Sequence, residues 1–402
     1  MEDKVDYFGA ENPIFADKEL LQISHLPRDD ARIIGRDDQL QNLGSALRPA
    51  LTGNTPNNVF IYGKTGTGKS LCSKFITQRV IDRADQNDVN VGFAYVDCLQ
   101  DPTETQAVQT AAEQLNNSKV TGMTIPETGL ATSVFYKRLW KAIDAQYDVA
   151  IIILDEVDKL GDDNILMQLS RANESGKLSN AKLATIGISN KIRYKEELTE
   201  RVKSSLCERD YVFPPYDATQ LREILVSRSD AFADGVLDDS VIPRVSALAA
   251  REHGDARKAI DILRFAGEIA EDEGDETVRE RHVEQAQRRE EQNRLSELIA
   301  ESPVHARYIL LALAFRVQQD PDPDAMIPNN DVFGTYRHIC EQEGSDPLKE
   351  RRLRDILSEL EFLSIIEQER RGRGRGKGIW NVNRLVDDPE LVIEACRIAK
   401  DE

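Results

Sequence analysis

One glycine-rich segment carries the residue types that bind a triphosphate. It reads GKTGTGKS and matches the pattern GxxxxGK[ST] in full. Glycines let the backbone N–H groups point at phosphate oxygens, Lys69 reaches the outer phosphates, and the Ser70 hydroxyl ligates Mg²⁺. A strand-like run precedes the segment, and the helical pattern Leu71–Val80 follows it, so a helix N-terminus also faces the anion. We predict a site for ATP or ADP with Mg²⁺, formed by Gly63, Lys64, Thr65, Gly66, Thr67, Gly68, Lys69 and Ser70.

Two carboxylates follow a second apolar run, Val149–Leu154. Ligands of open α/β sheets bind at the carboxyl ends of the strands, so Asp155 and Glu156 are expected near the phosphates. We predict that Asp155 holds the magnesium ion, directly or through water, and that Glu156 polarises the attacking water. Another strand-like run, Leu183–Ser189, ends in a polar residue as well, Asn190.

Strand-like and helical patterns alternate over the first half of the chain. That rhythm predicts a mostly parallel sheet covered by helices. An irregular leader with one amphipathic segment, Asp37–Ala50, precedes the sheet. The predicted strands are Asn58–Tyr62, Val91–Val96, Val149–Leu154, Leu183–Ser189 and Tyr211–Phe213.

The run of strands stops at Pro214-Pro215, and three helical patterns follow. Asp217–Gln220 resembles a capping box and opens the first of three predicted helices, at 217–233, 238–252 and 255–272. Arg257 lies in the first turn of the third helix, where a cation opposes the helix dipole. A bound phosphate would reverse that penalty, which makes Arg257 a candidate nucleotide ligand, with Lys258 in its place if the register is off by one.

The C-terminal part predicts three helices and a basic hairpin, which together form a winged helix. The helices are Pro303–Gln319, Asp331–Gln342 and Leu348–Leu360, and the strands Ile365–Glu369 and Ile379–Val382 flank the segment 370–378. We expect the third helix to enter the major groove of DNA and the wing to follow the backbone or the minor groove. The predicted DNA contacts are Arg351, Arg352, Arg354, Arg371, Arg373, Arg375 and Lys377.

The charge distribution qualifies the DNA prediction. The net charge of −19 indicates either a protein that avoids nucleic acid or an acidic surface adapted to a cytoplasm of very high salt. The acidic residues are spread along the chain, which favours the second interpretation. Between Arg370 and Lys377 there are five basic residues and no acidic one, so the wing reverses the charge locally. A solubilising hairpin tip or a protein-binding wing remains the alternative.

Other classes of protein are disfavoured. The five cysteines form no CxxC pair and lie beside no histidine at metal-ligand spacing, so we predict no metal other than nucleotide-bound Mg²⁺. The longest apolar runs, Val149–Leu154 and Tyr308–Phe315, are too short to span a membrane, and the first residues do not resemble a signal peptide. We expect a cytoplasmic, nucleoid-associated protein without a membrane partner.

Together these motifs resemble the AAA+ ATPases and, among them, the archaeal initiator family related to the eukaryotic origin-recognition subunit and cell-division-cycle loader. The resemblance covers nearly the whole chain and is most distinctive at Ile186–Asn190, Arg201–Leu206, Phe213–Tyr216, Ala249–Arg257 and Ala266–Ala270. It implies an α/β fold class with a P-loop AAA+ parallel sheet domain, an all-α lid domain and a C-terminal winged-helix domain. We place these at 1–215, 216–295 and 296–402.

The resemblance also implies roles and partners. It implies binding to double-stranded origin DNA, loading of the replicative minichromosome maintenance helicase, and other initiator copies or paralogues on the DNA. In an initiator switched by ATP, hydrolysis would act as a timer rather than a motor, and the extra carboxylate of Asp97 would make it slow. Asn190 would contact the γ-phosphate or the water, Arg257 would be the lid arginine, and Arg201 would reach a neighbouring subunit's γ-phosphate. Ile34 and Tyr216 would line the adenine pocket. The stretch Lys119–Ser133 would supply an additional helix that touches DNA.

Two residues depart from the family pattern. Asp97 stands where an asparagine usually restrains the catalytic glutamate, and a third carboxylate there is expected to raise the pKa of a neighbouring acid. Thr199-Glu200 replaces the usual Asp-Pro before Arg201, which weakens that assignment. An ATP-switched regulator of transcription or plasmid maintenance is the alternative function. A clamp-loader subunit is a third, which the Gly/Arg hairpin disfavours.

Overall fold

The computed structural model describes residues 14–22, 32–191, 193–206, 209–251, 254–300, 302–322, 325–363, 365–372 and 379–401. The chain divides into two compact units, which meet in the sequence between Val283 and Glu284. Among the helices of these residues, none combines the length and the apolar composition that a membrane span requires.

A five-stranded parallel sheet forms the centre of the first unit, in the order β2-β3-β4-β1-β5. The fold class is as predicted, and the first four strands lie within one residue of their predicted bounds. The fifth begins and ends earlier than predicted, because its pairing with β1 starts at Arg209. The strands are β1 (Val59–Tyr62), β2 (Val91–Asp97), β3 (Val149–Asp155), β4 (Lys182–Ser189) and β5 (Arg209–Val212).

Eight α-helices accompany this sheet in the described residues up to Leu206: α1 (Asp37–Leu47), α2 (Lys69–Asp85), α3 (Glu104–Leu115), α4 (Ser118–Thr121), α5 (Thr132–Gln146), α6 (Asn164–Ser170), α7 (Tyr194–Glu197) and α8 (Glu200–Leu206). The stretch Lys119–Ser133, which could supply the additional helix, contains most of α4 at its start and the beginning of α5 at its end, and its contact with DNA stays a prediction. Asn117 caps α4, but Gly122 ends it in the left-handed conformation (φ +66°), and helix resumes only at α5.

Two apolar cores lie on the two faces of the sheet. Every residue of β3 is buried, which is expected for a strand covered on both sides. Alternate residues of β3 point to opposite faces, so Ile152 and Leu154 join one core while Ile151 and Ile153 join the other. The sheet is therefore held firmly at its centre, and its carboxyl edge presents a defined set of side chains.

Three helices form the lid: α9 (Ala218–Val226), α10 (Val241–Arg251) and α11 (Ala256–Asp272). The predicted capping box is present, with Asp217 accepting from the backbone of Gln220 and the Gln220 side chain accepting from the backbone of Asp217. The predicted first helix, 217–233, is too long. It ends at Val226, and a 3₁₀ turn follows at Ser229–Ala231. This turn contacts a segment that is distant in the sequence.

That segment consists of residues 14–22 and is here called the N-terminal strap. The backbone N–H groups of Ala16 and Asp17 donate to the carbonyl of Ala231 at 2.8 and 3.0 Å. The ring of Phe15 packs against Phe232 with centroids 5.0 Å apart. Residues 14–22 of the predicted irregular leader therefore pack on the lid segment that follows α9.

The second unit contains a winged helix, as predicted. Its helices are α13 (Val304–Gln319), α14 (Asn329–Gln342), α15 (Glu350–Phe362) and a final α16 (Pro389–Asp401). Strands β6 (Ile327–Pro328), β7 (Ile366–Gly372) and β8 (Ile379–Leu385) form an antiparallel sheet in the order β6-β8-β7. Helix α12 (Glu280–Ala300) crosses the predicted boundary at 295, so the three domain limits stay predictions.

Candidate nucleotide-binding site

The glycine-rich loop forms a tight cradle between β1 and α2. Gly66 and Gly68 adopt positive φ angles of +71° and +84°, which a side chain would strain. The Lys69 ammonium donates to the carbonyls of Gly63 and Lys64 at 2.8 and 2.7 Å. Burial lowers the pKa of Lys69 to about 8, although Asp155 opposes that shift. A buried ammonium held by neutral carbonyls is a strong attractor for a phosphate oxygen.

Oxygen ligands suited to Mg²⁺ meet beside the loop. The Ser70 hydroxyl donates to Oδ2 of Asp155, and the Tyr95 hydroxyl donates to the same oxygen at 2.8 Å. A hydroxyl and a carboxylate form the hard, oxygen-only set that Mg²⁺ prefers. The structure therefore brings together Ser70 and Asp155, the two residues predicted to bind the metal. Tyr95 was not predicted, since nothing in a strand sequence distinguishes its hydroxyl from that of any core tyrosine.

Glu156 lies at the end of β3 in a left-handed conformation (φ +53°), which is uncommon for a residue with a side chain. The Asn190 amide donates to its carboxylate at 3.1 Å. Asp158 in turn holds the end of β4, because its Oδ1 accepts from the Ser189 hydroxyl at 2.8 Å and from the Asn190 backbone at 3.2 Å. Sequence reasoning missed Asp158, which looked like part of a solvated acidic turn.

The departure at Asp97 places a third acid in this group. Asp97 is the direct partner of Asp155 in the parallel register of β2 and β3. Burial, Asp155 and Asp97, in that order, raise the pKa of Glu156, whereas the bond from Asn190 lowers it. The direction agrees with the expectation from the sequence. In this structure it is the Asn190 amide that holds the Glu156 carboxylate.

The lid touches the loop through the start of α11. The Ala256 backbone N–H donates to the Gly66 carbonyl at 3.1 Å, while the Asp255 side chain caps the helix by accepting from Arg257 and Lys258. A Cβ at Gly66 would collide with Asp255, so only glycine fits this contact. The N-terminus of α11 therefore lies directly against the glycine-rich loop.

A cavity of about 780 Å³ joins these elements. The glycine-rich loop and the acids line one part of it, and Ile33, Ile34, Ile224 and Ile260 give it an apolar wall, here called the apolar end. Of the residues predicted to bind the nucleotide or to take part in hydrolysis, Gly63, Lys64 and Arg201 do not line the cavity. The predicted residues that do are Ile34, Thr65, Gly66, Thr67, Gly68, Lys69, Ser70, Asp155, Glu156, Asn190, Tyr216 and Arg257.

Arg36 is a buried arginine next to the phosphate loop whose role the sequence did not reveal. It is only 1% exposed and stacks over the ring of Tyr216, with its Cζ 3.7 Å from the ring centroid. Its Nε donates to the Thr67 carbonyl at 2.9 Å, and Nη2 donates to the Pro214 carbonyl at 2.6 Å. Arg36 thus ties the phosphate loop to the segment that leads into the lid. An arginine is usually exposed, so composition gave no sign of this.

Three family models match successive parts of the chain. Residues 52–189 match an AAA domain, residues 222–288 match the Cdc6 AAA+ ATPase-type lid domain, and residues 297–395 match the CDC6, C terminal winged helix domain. The ORC1-type DNA replication protein 4 of Halobacterium salinarum is 50% identical over 387 residues, 96% of this chain and 93% of the relative. The chain belongs to the archaeal Orc1/Cdc6 family of AAA+ DNA replication proteins.

Further relatives agree with this Orc1/Cdc6 assignment. The ORC1-type DNA replication protein 9 of Haloarcula marismortui is 43% identical, over 98% of this chain and 93% of the relative. The Aeropyrum pernix ORC1 protein, solved in complex with DNA, is 36% identical with a TM-score of 0.80, covering 96% of this chain and 97% of that one. The family resemblance and the fold class are confirmed, and the halophilic relatives agree with the interpretation of the acidic composition.

Two groups of predicted residues in this Orc1/Cdc6 protein do not line the cavity. Arg201 is exposed on α8. Arg351, Arg352 and Arg354 are exposed on α15, where Arg352 and Arg354 form long ion pairs of 3.5 Å with Glu359 and Glu350. Such exposed pairs are weak, so phosphates can replace the carboxylates.

The basic wing is described only in part. Arg371 is exposed in β7 opposite Trp380 and bonds to Glu369 at 3.2 Å. The strands run further than predicted, so Arg370 and Arg371 belong to β7 rather than to the tip. The remaining predicted contacts, Arg373, Arg375 and Lys377, lie outside the described residues.

Proposed function

We propose that this Orc1/Cdc6 protein is an ATP-dependent replication initiator that binds double-stranded origin DNA and helps to load the replicative helicase. The observation that carries the proposal is the contact between the phosphate loop and the lid, at Gly66 and Ala256. A triphosphate bound there meets both elements at once, so its state sets the position of the lid. Hydrolysis then works as a slow switch rather than a motor. The protein acts in the cytoplasm, at the nucleoid.

We propose a place in the cavity for each part of ATP. The apolar end beside Ile34 and Tyr216 takes the adenine, and the loop with Lys69 takes the β- and γ-phosphates. Arg257 adds a positive charge from the lid. Ser70 and Asp155 would hold Mg²⁺, which supplies positive charge to the phosphate oxygens when it is bound.

Glu156 is the proposed general base for the attacking water, and Asn190 orients it. The Asn190 amide that bonds Glu156 is also the group proposed to meet the γ-phosphate. Arrival of ATP then competes for this amide and releases the carboxylate toward the water. Arg201, exposed on its own subunit, is proposed to complete the site of a neighbouring initiator copy or paralogue.

For DNA, α15 enters the major groove and the wing lies along the backbone. This rests on the exposed arginines of α15 and β7 and on the A. pernix relative, which was solved with DNA. A genome-wide map of bound sites in living cells tests the assignment. Enrichment at replication origins supports an initiator. Enrichment confined to promoters or plasmid maintenance loci would instead identify the protein as an ATP-switched regulator of transcription or plasmid maintenance.

The wing is expected to contact phosphates rather than to read bases. Replacing Arg371, Arg373 and Arg375 with serine should weaken binding to every duplex and lower the slope of log K against log salt by roughly one to three, since each lost phosphate contact removes about 0.9. Fluorescence anisotropy over a salt series measures the slope. The control replaces Arg83, Arg222 and Arg397, which are exposed on α2, α9 and α16 and change the net charge equally. An unchanged slope in the wing variant would exclude phosphate contact.

Asp158 is expected to act on hydrolysis through Asn190. Asp158→Ala removes the acceptor of two hydrogen bonds, so kcat should fall about tenfold or more, with ATP affinity changed less than about twofold. Asp158→Asn should retain most of kcat, because a single oxygen, Oδ1, accepts both bonds. Single-turnover hydrolysis and nucleotide titration separate the two effects. Equal losses in both variants would argue against this positioning role.

A further inference from the structure

Cations also line the cavity, and three of them are neutralised by carboxylates. Lys18 pairs with Glu268 at 3.0 Å, and Arg264 pairs with Glu268 at 2.8 Å. Arg32 pairs with Asp230 in the same way. Because these charges are already matched by carboxylates, none of the three is poised to bind a ligand. Apolar walls alone hold a flat ring but distinguish poorly between rings of similar size.

Arg228 is different from these three cations. It lines the same cavity, immediately after α9, and its residue is only 7% exposed. Nη1 donates to the Leu20 carbonyl of the N-terminal strap at 3.0 Å, and Nε is buried without a hydrogen-bond partner. Within the described residues no carboxylate forms an ion pair with Arg228, and no acceptor bonds its Nη2. Burial accordingly lowers its pKa.

An arginine in this setting needs an acceptor. A buried donor without a partner costs about 1–3 kcal/mol, and more when it is charged. The guanidinium has donors only, so it recognises groups that accept. The Leu20 carbonyl of the strap already accepts from Nη1 of the guanidinium. Nη2 is therefore the nitrogen that can donate to a ligand in the cavity.

We propose that Arg228 determines base specificity, with Nη2 donating a hydrogen bond to a ring nitrogen of the purine. The inference rests on the proposed function, because it requires ATP to bind with its base at the apolar end. Ile224 and Ile260, both buried on that wall, hold the ring by packing, and Arg228 reads one edge of it. The N-terminal strap thereby becomes part of the nucleotide site, since it positions the reading residue.

The test removes one ring acceptor at a time. Binding of ATP is compared with that of 1-deaza-, 3-deaza- and 7-deaza-ATP, each of which replaces one purine ring nitrogen with carbon. For the unaltered protein, one analogue should bind about 10- to 100-fold more weakly than ATP, because it leaves the charged donor unpaired. In Arg228→Met that analogue and ATP should bind equally. In the control Arg222→Met, which changes an exposed arginine on α9, the full penalty should remain.

Three outcomes overturn the inference. One is equal binding of all four nucleotides by the unaltered protein, a result that no folding defect of a variant can affect. Another is a penalty that persists unchanged in Arg228→Met. The third is failure of the unaltered protein to bind ATP or ADP at all, which would remove the proposed nucleotide site itself and is recognised by the absence of any titration.

Discussion

Replacing Lys69 with alanine is expected to reduce ATP affinity by about 100-fold or more. The ammonium is buried among loop carbonyls and lies where the β- and γ-phosphates are proposed to bind. Charge-assisted hydrogen bonds each contribute roughly 1.5–3 kcal/mol, and this lysine supplies more than one of them to the phosphates. Calorimetric titration with ATP and ADP measures the loss. DNA binding should then no longer respond to added nucleotide.

The matched control is Arg83→Ala, which removes an exposed cation from the last turn of the same helix, α2. It should leave nucleotide affinity within about twofold, because surface charges this far from a ligand are largely screened by salt. Parental ATP affinity in the Lys69 variant would mean that the loop is not the phosphate site. Lost affinity with unaltered nucleotide control of DNA binding would place the switch elsewhere in the protein.

Replacing Glu156 with glutamine should slow ATP hydrolysis by about 10²- to 10⁴-fold, the range that a positioned general base contributes. Glutamine has nearly the same shape and still accepts a bond from Asn190, so ATP binding should persist. Such a variant should remain locked in its ATP-bound form and stay on origin DNA longer than the parent. Hydrolysis of labelled ATP under single-turnover conditions measures the rate.

Glu197→Gln, an exposed change of the same charge on α7, should hydrolyse ATP at the parental rate. Asp97→Asn gives a second comparison, since it restores the residue usual in the family and removes one acid beside Glu156. Parental hydrolysis in Glu156→Gln would contradict the assignment of the base. If Asp97→Asn alone abolished hydrolysis, the base would be Asp97 instead.

The sequence was most informative where chemistry depends on neighbours in the chain. The loop from Gly63 to Ser70 and the acids after β3 were predictable because glycines, lysine and carboxylates at this fixed spacing are typical of phosphate and magnesium binding. The strands were predictable because burial on both faces produces unbroken apolar runs. The winged helix followed from helix periodicity and the glycine-rich hairpin.

Residues that act across long sequence distances were not predictable. Arg36 bonds Pro214, and Arg228 bonds Leu20, and neither pairing leaves a local trace. Asp158 appeared to be one more acid in a polar turn until β4 placed Ser189 beside it. The bounds of a helix within Lys119–Ser133 were not predictable either, and in the structure Gly122 ends α4 after Thr121.

The packing of the N-terminal strap has an evolutionary consequence. Gly267 lies in the middle of α11 with a negative φ, where alanine would ordinarily stabilise a helix by roughly 0.5–1 kcal/mol. Here a methyl group would run into the rings of Phe15 and Phe232. Positions 15 and 267 should therefore mutate together across descendants of this protein. In a lineage that loses the aromatic ring at position 15, position 267 can change to alanine. A lineage that keeps the ring must also keep the glycine.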